Sequence, residues 1–137
     1  MRFIDTNVLL YLVSTAPKEA AKKRIAVEIL AEDDLALSVQ VLQEFYVQAT
    51  RPRASGLGSL THLQASRLIE AFLRFPVQEM TVSLLQSALA TKERYQISFW
   101  DASILEAARS LGCSTVLSED LGHGQTYGTV KVVNPFR

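Results

Sequence analysis

Arg2-Phe3-Ile4-Asp5-Thr6-Asn7-Val8-Leu9-Leu10-Tyr11-Leu12-Val13 is the stretch that decides the fold. Arg2 to Asp5 reads as a short buried strand starting at the N-terminus. Asp5-Thr6-Asn7 interrupts it, and Val8 to Val13 follows as a short apolar helix. A strand that gives way to a helix at its carboxyl end is the opening unit of an α/β sheet. Asp5 then sits at the mouth of that sheet, where such proteins keep their functional crevice.

The alternation continues downstream. Pro17 suits the first turn of a helix from Lys18 to Ala31, because its missing N–H is no loss there. Leu35 to Ser38 is a second strand, and Ser38 can cap a helix from Val39 to about Thr50. Arg51 to Ser59 holds Pro52, Gly56 and Gly58 and is a loop. Thr61 with Gln64 three residues on is a capping-box signature for a helix to about Arg74, ended by Pro76. Val77 to Met80 is a brief strand. Thr81 caps a helix to roughly Tyr95, and Ser98 caps another from Phe99 to Leu111, closed by Gly112. Thr115 to Leu117 and Lys131 to Val133 are the last, β-branched strands. The expected architecture is α/β, with a short, mostly parallel central sheet and helices on both faces, built as one domain over residues 1–137.

Composition narrows the function classes. The chain has 137 residues, 48% hydrophobic and 20% charged, which excludes a disordered tail or a disulfide scaffold. The single cysteine, Cys113, cannot form an internal bridge and fits a reducing compartment. The longest apolar run, Val8 to Val13, is too short to span a bilayer or to serve as a signal core, so a cytoplasmic protein without membrane contact is expected. The 14 Lys+Arg balance the 14 Asp+Glu. Four acids gathered around a metal would leave the remaining surface basic, so zero net charge does not argue against a nucleic-acid partner.

Four acids stand out. Asp5 ends the first strand. Glu44 lies in the second turn of the helix after the second strand. Asp101 lies in the first turn of the helix opened by Ser98. Asp120 follows the Thr115–Leu117 strand within Ser118-Glu119-Asp120. All four are expected at one edge of the sheet. Gathered carboxylates repel and call for a cation, and oxygen ligands without a His or Cys cluster suit Mg²⁺ or Mn²⁺. Such ions activate water and support in-line attack on phosphorus. Each acid also has a plainer reading. Asp5 can cap the following helix, and Ser98-Phe99-Trp100-Asp101 also spells a capping box. Asp101, Leu105 and Ala108 nonetheless share one helical face, which puts a carboxylate on the apolar side, where burial without a partner is costly. Glu44 alone reads as a solvated edge residue, Asp120 alone as a turn acid, and Glu119 as a solvated neighbour rather than a ligand. The set carries the signal.

Ile4-Asp5-Thr6-Asn7, Gln43-Glu44-Phe45, Phe99-Trp100-Asp101-Ala102 and Leu117-Ser118-Glu119-Asp120-Leu121 resemble, in order and spacing, the four acidic motifs of PIN-domain nucleases. The length and the ending Gly122-His123-Gly124 to Val133-Asn134-Pro135-Phe136 resemble VapC-type toxins in particular. The resemblance covers essentially the whole chain, and no acidic position is missing. It implies a PIN-like three-layer sandwich and a Mg²⁺- or Mn²⁺-dependent endoribonuclease, the toxin of a toxin–antitoxin pair. It also implies an RNA substrate, a cognate antitoxin that holds the enzyme inactive, and a homodimer. Asp5, Glu44, Asp101 and Asp120 would hold metal and activate water. Thr6 and Ser118 would orient neighbouring carboxylates, and Asn7 would stabilise the turn or reach a phosphate.

Other residues carry less. Arg51 and Arg53, either side of Pro52, are candidates for RNA phosphates, or helix-end arginines favoured by the dipole. Phe72 and Phe75, with Leu68 and Leu73, read mainly as core, with part of that face open to a dimer or an antitoxin. Tyr46 and Trp100 can stack on a base, although packing is the expected role of both. His62 reads as an exposed helix-start residue, His123 as an ordinary loop histidine and Cys113 as a buried small residue. A haloacid-dehalogenase-like phosphatase also begins with Asp at the end of strand one, but it needs a second Asp where Asn7 stands. A non-catalytic PIN scaffold would be expected to have lost an acid.

Overall fold

A computed structural model describes residues 1–52 and 59–137. Six strands form one sheet in the order β3-β2-β1-β4-β6-β5. They are β1 (Arg2–Ile4), β2 (Leu35–Ser38), β3 (Val77–Gln78), β4 (Thr115–Leu117), β5 (Thr126–Tyr127) and β6 (Val130–Val133). All pairings are parallel except β5 with β6. The helices among the described residues are α1 (Thr6–Leu12), α2 (Ala20–Leu30), α3 (Val39–Thr50), α4 (His62–Phe72), α5 (Val82–Tyr95) and α6 (Phe99–Ser110).

Chain order explains the layers. From β1 the chain steps to β2 and β3 in one direction, then returns past β1 to β4. Right-handed crossovers therefore put α1 to α4 on one face and α5 and α6 on the other. α6 contacts β2, β3, β4 and β6 and carries α5, while α3 lies on β2 and holds α1 and α4. β1 and β2 are buried on both faces, as a covered parallel sheet requires. Phe3, Ile4, Leu35, Leu37, Val116 and Val132 meet Phe45 and Leu105 in the core.

The strand order reverses between β1 and β4. In parallel sheets the crevice outside the carboxyl ends at such a reversal is the binding position. Asp5 leaves β1 there, and Ser118 leaves β4 beside it, since Ile4 pairs with Leu117.

Several expectations shift in detail. β1 stops at Ile4, and Asp5 is the N-cap of a helix that starts at Thr6 rather than Val8, because its carboxylate accepts from Thr6 N–H. Pro17 to Glu19 form a separate 3₁₀ turn, so the next helix starts at Ala20. β3 is confined to Val77–Gln78. The hairpin of β5 with β6 was not expected; two residues alone do not signal a strand, but Gly128 at φ 65° makes the two-residue turn that joins them. Ser38, Thr61, Thr81 and Ser98 cap their helices, Thr61 with the full Gln64 box.

Phe72 and Phe75 are buried, and Phe72 packs edge-on against Phe45. Leu73, expected in the core, is exposed, because it caps α4 on its solvent side. The surface of this region is therefore made by Leu73 and Arg74 rather than by the phenyl rings. Among the described residues no helix is long and apolar enough to cross a membrane.

Candidate active site

Asp5 is buried at the end of β1. Its two oxygens have separate partners: Oδ1 accepts from Thr6 N–H at 2.7 Å, and Oδ2 from the Ser118 hydroxyl at 2.7 Å. Asp5 is thus both a helix cap and an inward-facing acid. Burial pushes its pKa up to about 6 against these two hydrogen bonds, and the charges of Asp120 and Glu44 add to the rise.

Ser118, fully buried, ties two motifs together. Its Oγ donates to Asp5 and accepts from Asp120 N–H and Leu121 N–H at 3.2 and 3.3 Å. Thr6, in the first turn of α1, donates its hydroxyl to Glu44 Oε2 at 2.7 Å across 38 residues of sequence. Gln40, one turn before Glu44 on α3, donates to the other oxygen at 3.1 Å. Asn7 donates from Nδ2 to Asp120 Oδ2 at 3.1 Å and accepts from Glu119 N–H at 3.3 Å. Asp101 is half-buried in the first turn of α6, where its N–H donates to the Ser98 hydroxyl. Burial raises its pKa, and the charges of Asp120 and Glu44 raise it further.

Carboxylates from four segments therefore gather at one edge of the sheet. Asp5 and Asp101 are each coupled to both Glu44 and Asp120. Among the described residues the ion pairs are Arg2–Asp34, Lys22–Glu119 and Arg109–Glu106, and none involves these four. Accumulated negative charge without a protein cation is the chemistry of a divalent-cation site, and the donors are all oxygen, which suits Mg²⁺ or Mn²⁺. Among the described residues no three His, Cys, Asp or Glu side chains stand in a closed ligand group.

Sequence reasoning missed the residues around Glu119, expected to be solvated. Glu119 accepts from Lys22 Nζ at 2.5 Å and from the Tyr11 hydroxyl, and Lys22 also donates to Tyr11 at 3.2 Å. Burial pushes the Glu119 carboxyl up, but these two hydrogen bonds outweigh it and hold it below the usual range. Its signal in sequence was faint: Asn7 and Tyr11 lie four residues apart, on one face of α1. Gln40, four residues before Glu44, was the other omission. Trp100, expected to pack, is 62% exposed. Tyr46 bonds to His62 Nδ1 at 2.8 Å, and His62 is exposed. His123 Nδ1 accepts from Asn134 N–H, and Cys113 is buried. Arg51 is exposed at the end of α3, and Arg53 lies outside the described residues.

The chain belongs to the PIN domain family, which matches residues 2–128. Its fold is similar to that of a protein in a toxin–antitoxin complex from Klebsiella pneumoniae, with TM-score 0.72, 20% identity and 98% of each chain covered. It is similar to Mycobacterium tuberculosis VapC20, a sarcin–ricin loop cleaving toxin, with TM-score 0.67, 21% identity, 88% of this chain and 92% of that one. It is also similar to FitAcB from Neisseria gonorrhoeae, with TM-score 0.66, 20% identity and 99% of each chain covered. No curated protein matches the sequence significantly.

Proposed function

We propose that this PIN domain is a metal-dependent endoribonuclease and the toxin of a toxin–antitoxin pair, acting in the cytoplasm. The observation that carries the reading is the convergence of Asp5, Glu44 and Asp120, held by Ser118, Thr6 and Asn7 at the strand-order reversal, with Asp101 near enough to feel the charges of Glu44 and Asp120 and no ion pair to any of the four among the described residues. Asp5, Glu44, Asp101 and Asp120 hold Mg²⁺ or Mn²⁺. When bound, the ion lowers the pKa of water and offsets charge on a phosphodiester under attack.

The chain's own residues do the positioning. Thr6 and Gln40 fix both oxygens of Glu44, Ser118 and the Thr6 amide fix both oxygens of Asp5, and Asn7 fixes Asp120. None of these donors carries a charge, so the carboxylates are oriented without being neutralised. Arg51, which caps the helix carrying Glu44, and Arg53 are the candidates for contacts with RNA phosphates. The likeness to a protein from a toxin–antitoxin complex supports a protein inhibitor as partner; entry of that inhibitor's Arg or Lys among the four acids, and a homodimer, complete the proposal.

The test is cleavage of a structured RNA by the purified protein in Mg²⁺, in Mn²⁺ and in EDTA, with duplex DNA as a control. Cleavage of RNA in either metal and none in EDTA is expected, with Asp5→Asn and Asp101→Asn inactive. Full activity in chelator, with metal removal verified, overturns the reading. Isolation as a lone, non-toxic monomer from cells carrying the native locus counts against the toxin.

A further inference from the structure

The indole of Trp100 is 62% exposed, in the first turn of α6, one residue before Asp101. An apolar surface of that size left in water one position from a half-buried acid serves nothing in the core. Its placement is fixed from below. The Phe99 ring meets it edge-on, with centroids 5.2 Å apart, and the Ser98 cap anchors the turn. Further aromatic rings cluster at the same end of the molecule, where Tyr95 packs edge-on against Tyr127 at 5.1 Å. The adjoining last turn of α5 contributes two exposed cations, Lys92 and Arg94, with Arg94 lying over the Tyr95 ring.

Aromatic faces beside cations are how proteins hold single-stranded nucleic acid. The rings stack on bases, whatever the sequence, and the cations follow the backbone. Building on the nuclease reading above, we infer that Trp100 is the base-stacking platform of the site, taking one unpaired nucleobase of a single-stranded RNA whose backbone runs past Lys92 and Arg94. A base held one residue from Asp101 fixes the register of the strand at the acids. The substrate class that follows is RNA with an unstacked base next to the scissile phosphate, in a loop or an end rather than in a duplex, where the faces are already covered.

Trp100 is the chain's only tryptophan, so its emission reports this position alone. The probe is a mixed-sequence single-stranded RNA of roughly ten nucleotides, added to the full-length protein in EDTA, with the matching duplex as control. Single-stranded RNA is expected to quench the emission, and the duplex to leave it nearly unchanged. Trp100→Ala should bind the RNA roughly five- to a hundredfold more weakly, and Trp100→Phe should recover most of the loss. In Mg²⁺, Trp100→Ala should raise KM and scatter the cleavage position along the strand, because the register is lost, while Mg²⁺ affinity stays within about twofold. RNA binding with unchanged emission overturns the proposal. So does emission that shifts with protein concentration and ignores RNA, which would assign the indole to a second copy of the chain. RNA cleavage with equal KM in the Trp100→Ala variant sinks the stacking role and leaves the nuclease standing. Quenching without any cleavage in metal sinks the nuclease and leaves the stacking role, and no RNA binding at all sinks both.

Discussion

Lys22 and Glu119, 97 residues apart in sequence, meet at 2.5 Å on the flank of the acidic edge. Glu119 is adjacent to Asp120, yet the two carboxylates face different partners: Lys22 and Tyr11 hold one, Asn7 the other. Neighbouring acids are thereby sorted, one neutralised and one left to the cluster. A fifth free carboxylate there would add to the repulsion.

Replacing Lys22 by Met removes the ammonium and keeps the aliphatic stem. The pair is exposed on the lysine side, so the expected loss of stability in urea melts is small. The functional effect should be larger: the freed Glu119 carboxylate adds negative charge beside Asp120, so Mg²⁺ should bind more tightly by calorimetry. Glu119→Gln in the Lys22→Met background should remove most of that gain. Unchanged Mg²⁺ binding by Lys22→Met would make the pair a surface ornament.

Asp5 makes stability depend on pH in a direction opposite to that of an ordinary salt-bridged acid. Its pKa is about 6 in the folded protein against 3.8 for the free side chain. Between those values the folded state holds a proton that the unfolded state has lost, so stability falls as pH rises from about 4 to about 6 and stays low above that. The metal-free protein should lose about 3 kcal/mol over this window through Asp5. Asp5→Asn should abolish RNA cleavage and remove that part of the slope. It keeps the acceptor for Thr6 N–H but gives up the bond from Ser118, a cost of about 1 kcal/mol, so the net gain at neutral pH is about 2 kcal/mol. Denaturant melts of the two proteins without metal, at both ends of the window, measure this. An identical slope in the variant would show that Asp5 does not carry it.

Ser118→Ala removes one donor and one shared acceptor from a fully buried position. Asp120 N–H and Leu121 N–H lose their partner, and Asp5 loses the hydrogen bond that opposes its burial. The expected cost is about 3 kcal/mol, and the Asp5 pKa should climb above its present value. Carboxyl-carbon NMR titration of the metal-free variant gives the shift directly, and a fall instead of a rise would refute the assignment of Ser118 as the donor.

Arg51 lies exposed at the end of the helix that carries Glu44. If it meets one phosphate, Arg51→Ala should weaken single-stranded RNA binding and reduce the slope of log affinity against log salt by about 0.7. Metal binding should persist. An unchanged slope would place the RNA backbone elsewhere.

The sequence carried the frame and the acids because their signals are local. Ser38, Thr61, Thr81 and Ser98 announce helix starts within four residues, and runs such as Leu35 to Ser38 are short, apolar and bounded by polar residues. Asp5 and Asp120 were legible because each follows the carboxyl end of a short apolar strand. The partners that orient them were harder. The Thr6 bond to Glu44 and the Lys22 bond to Glu119 join segments that only the folded sheet brings together, and no periodicity encodes them. Trp100 was misjudged because an aromatic residue in an apolar helix normally packs, and exposure depends on which turn meets the neighbouring helix. The β5–β6 hairpin escaped because two-residue strands owe their existence to their neighbours.

The position of β4 in the sheet also governs when the acidic edge assembles during synthesis. Residues 1–110 hold three of the four acids and all of β1, β2 and β3. They lack the strand that lies between β1 and β6, the hydroxyl that fixes Asp5, and Asp120 itself. A ribosome-bound chain of that length can build half a sheet with a raw edge along β1, but not the cluster. Completion of the acidic edge waits for β4 and Asp120 to emerge and for β4 to pair in parallel with the first strand, a contact of long sequence separation and therefore a slow one. The four acids thus come together only after that pairing, however early β1, β2 and β3 have formed.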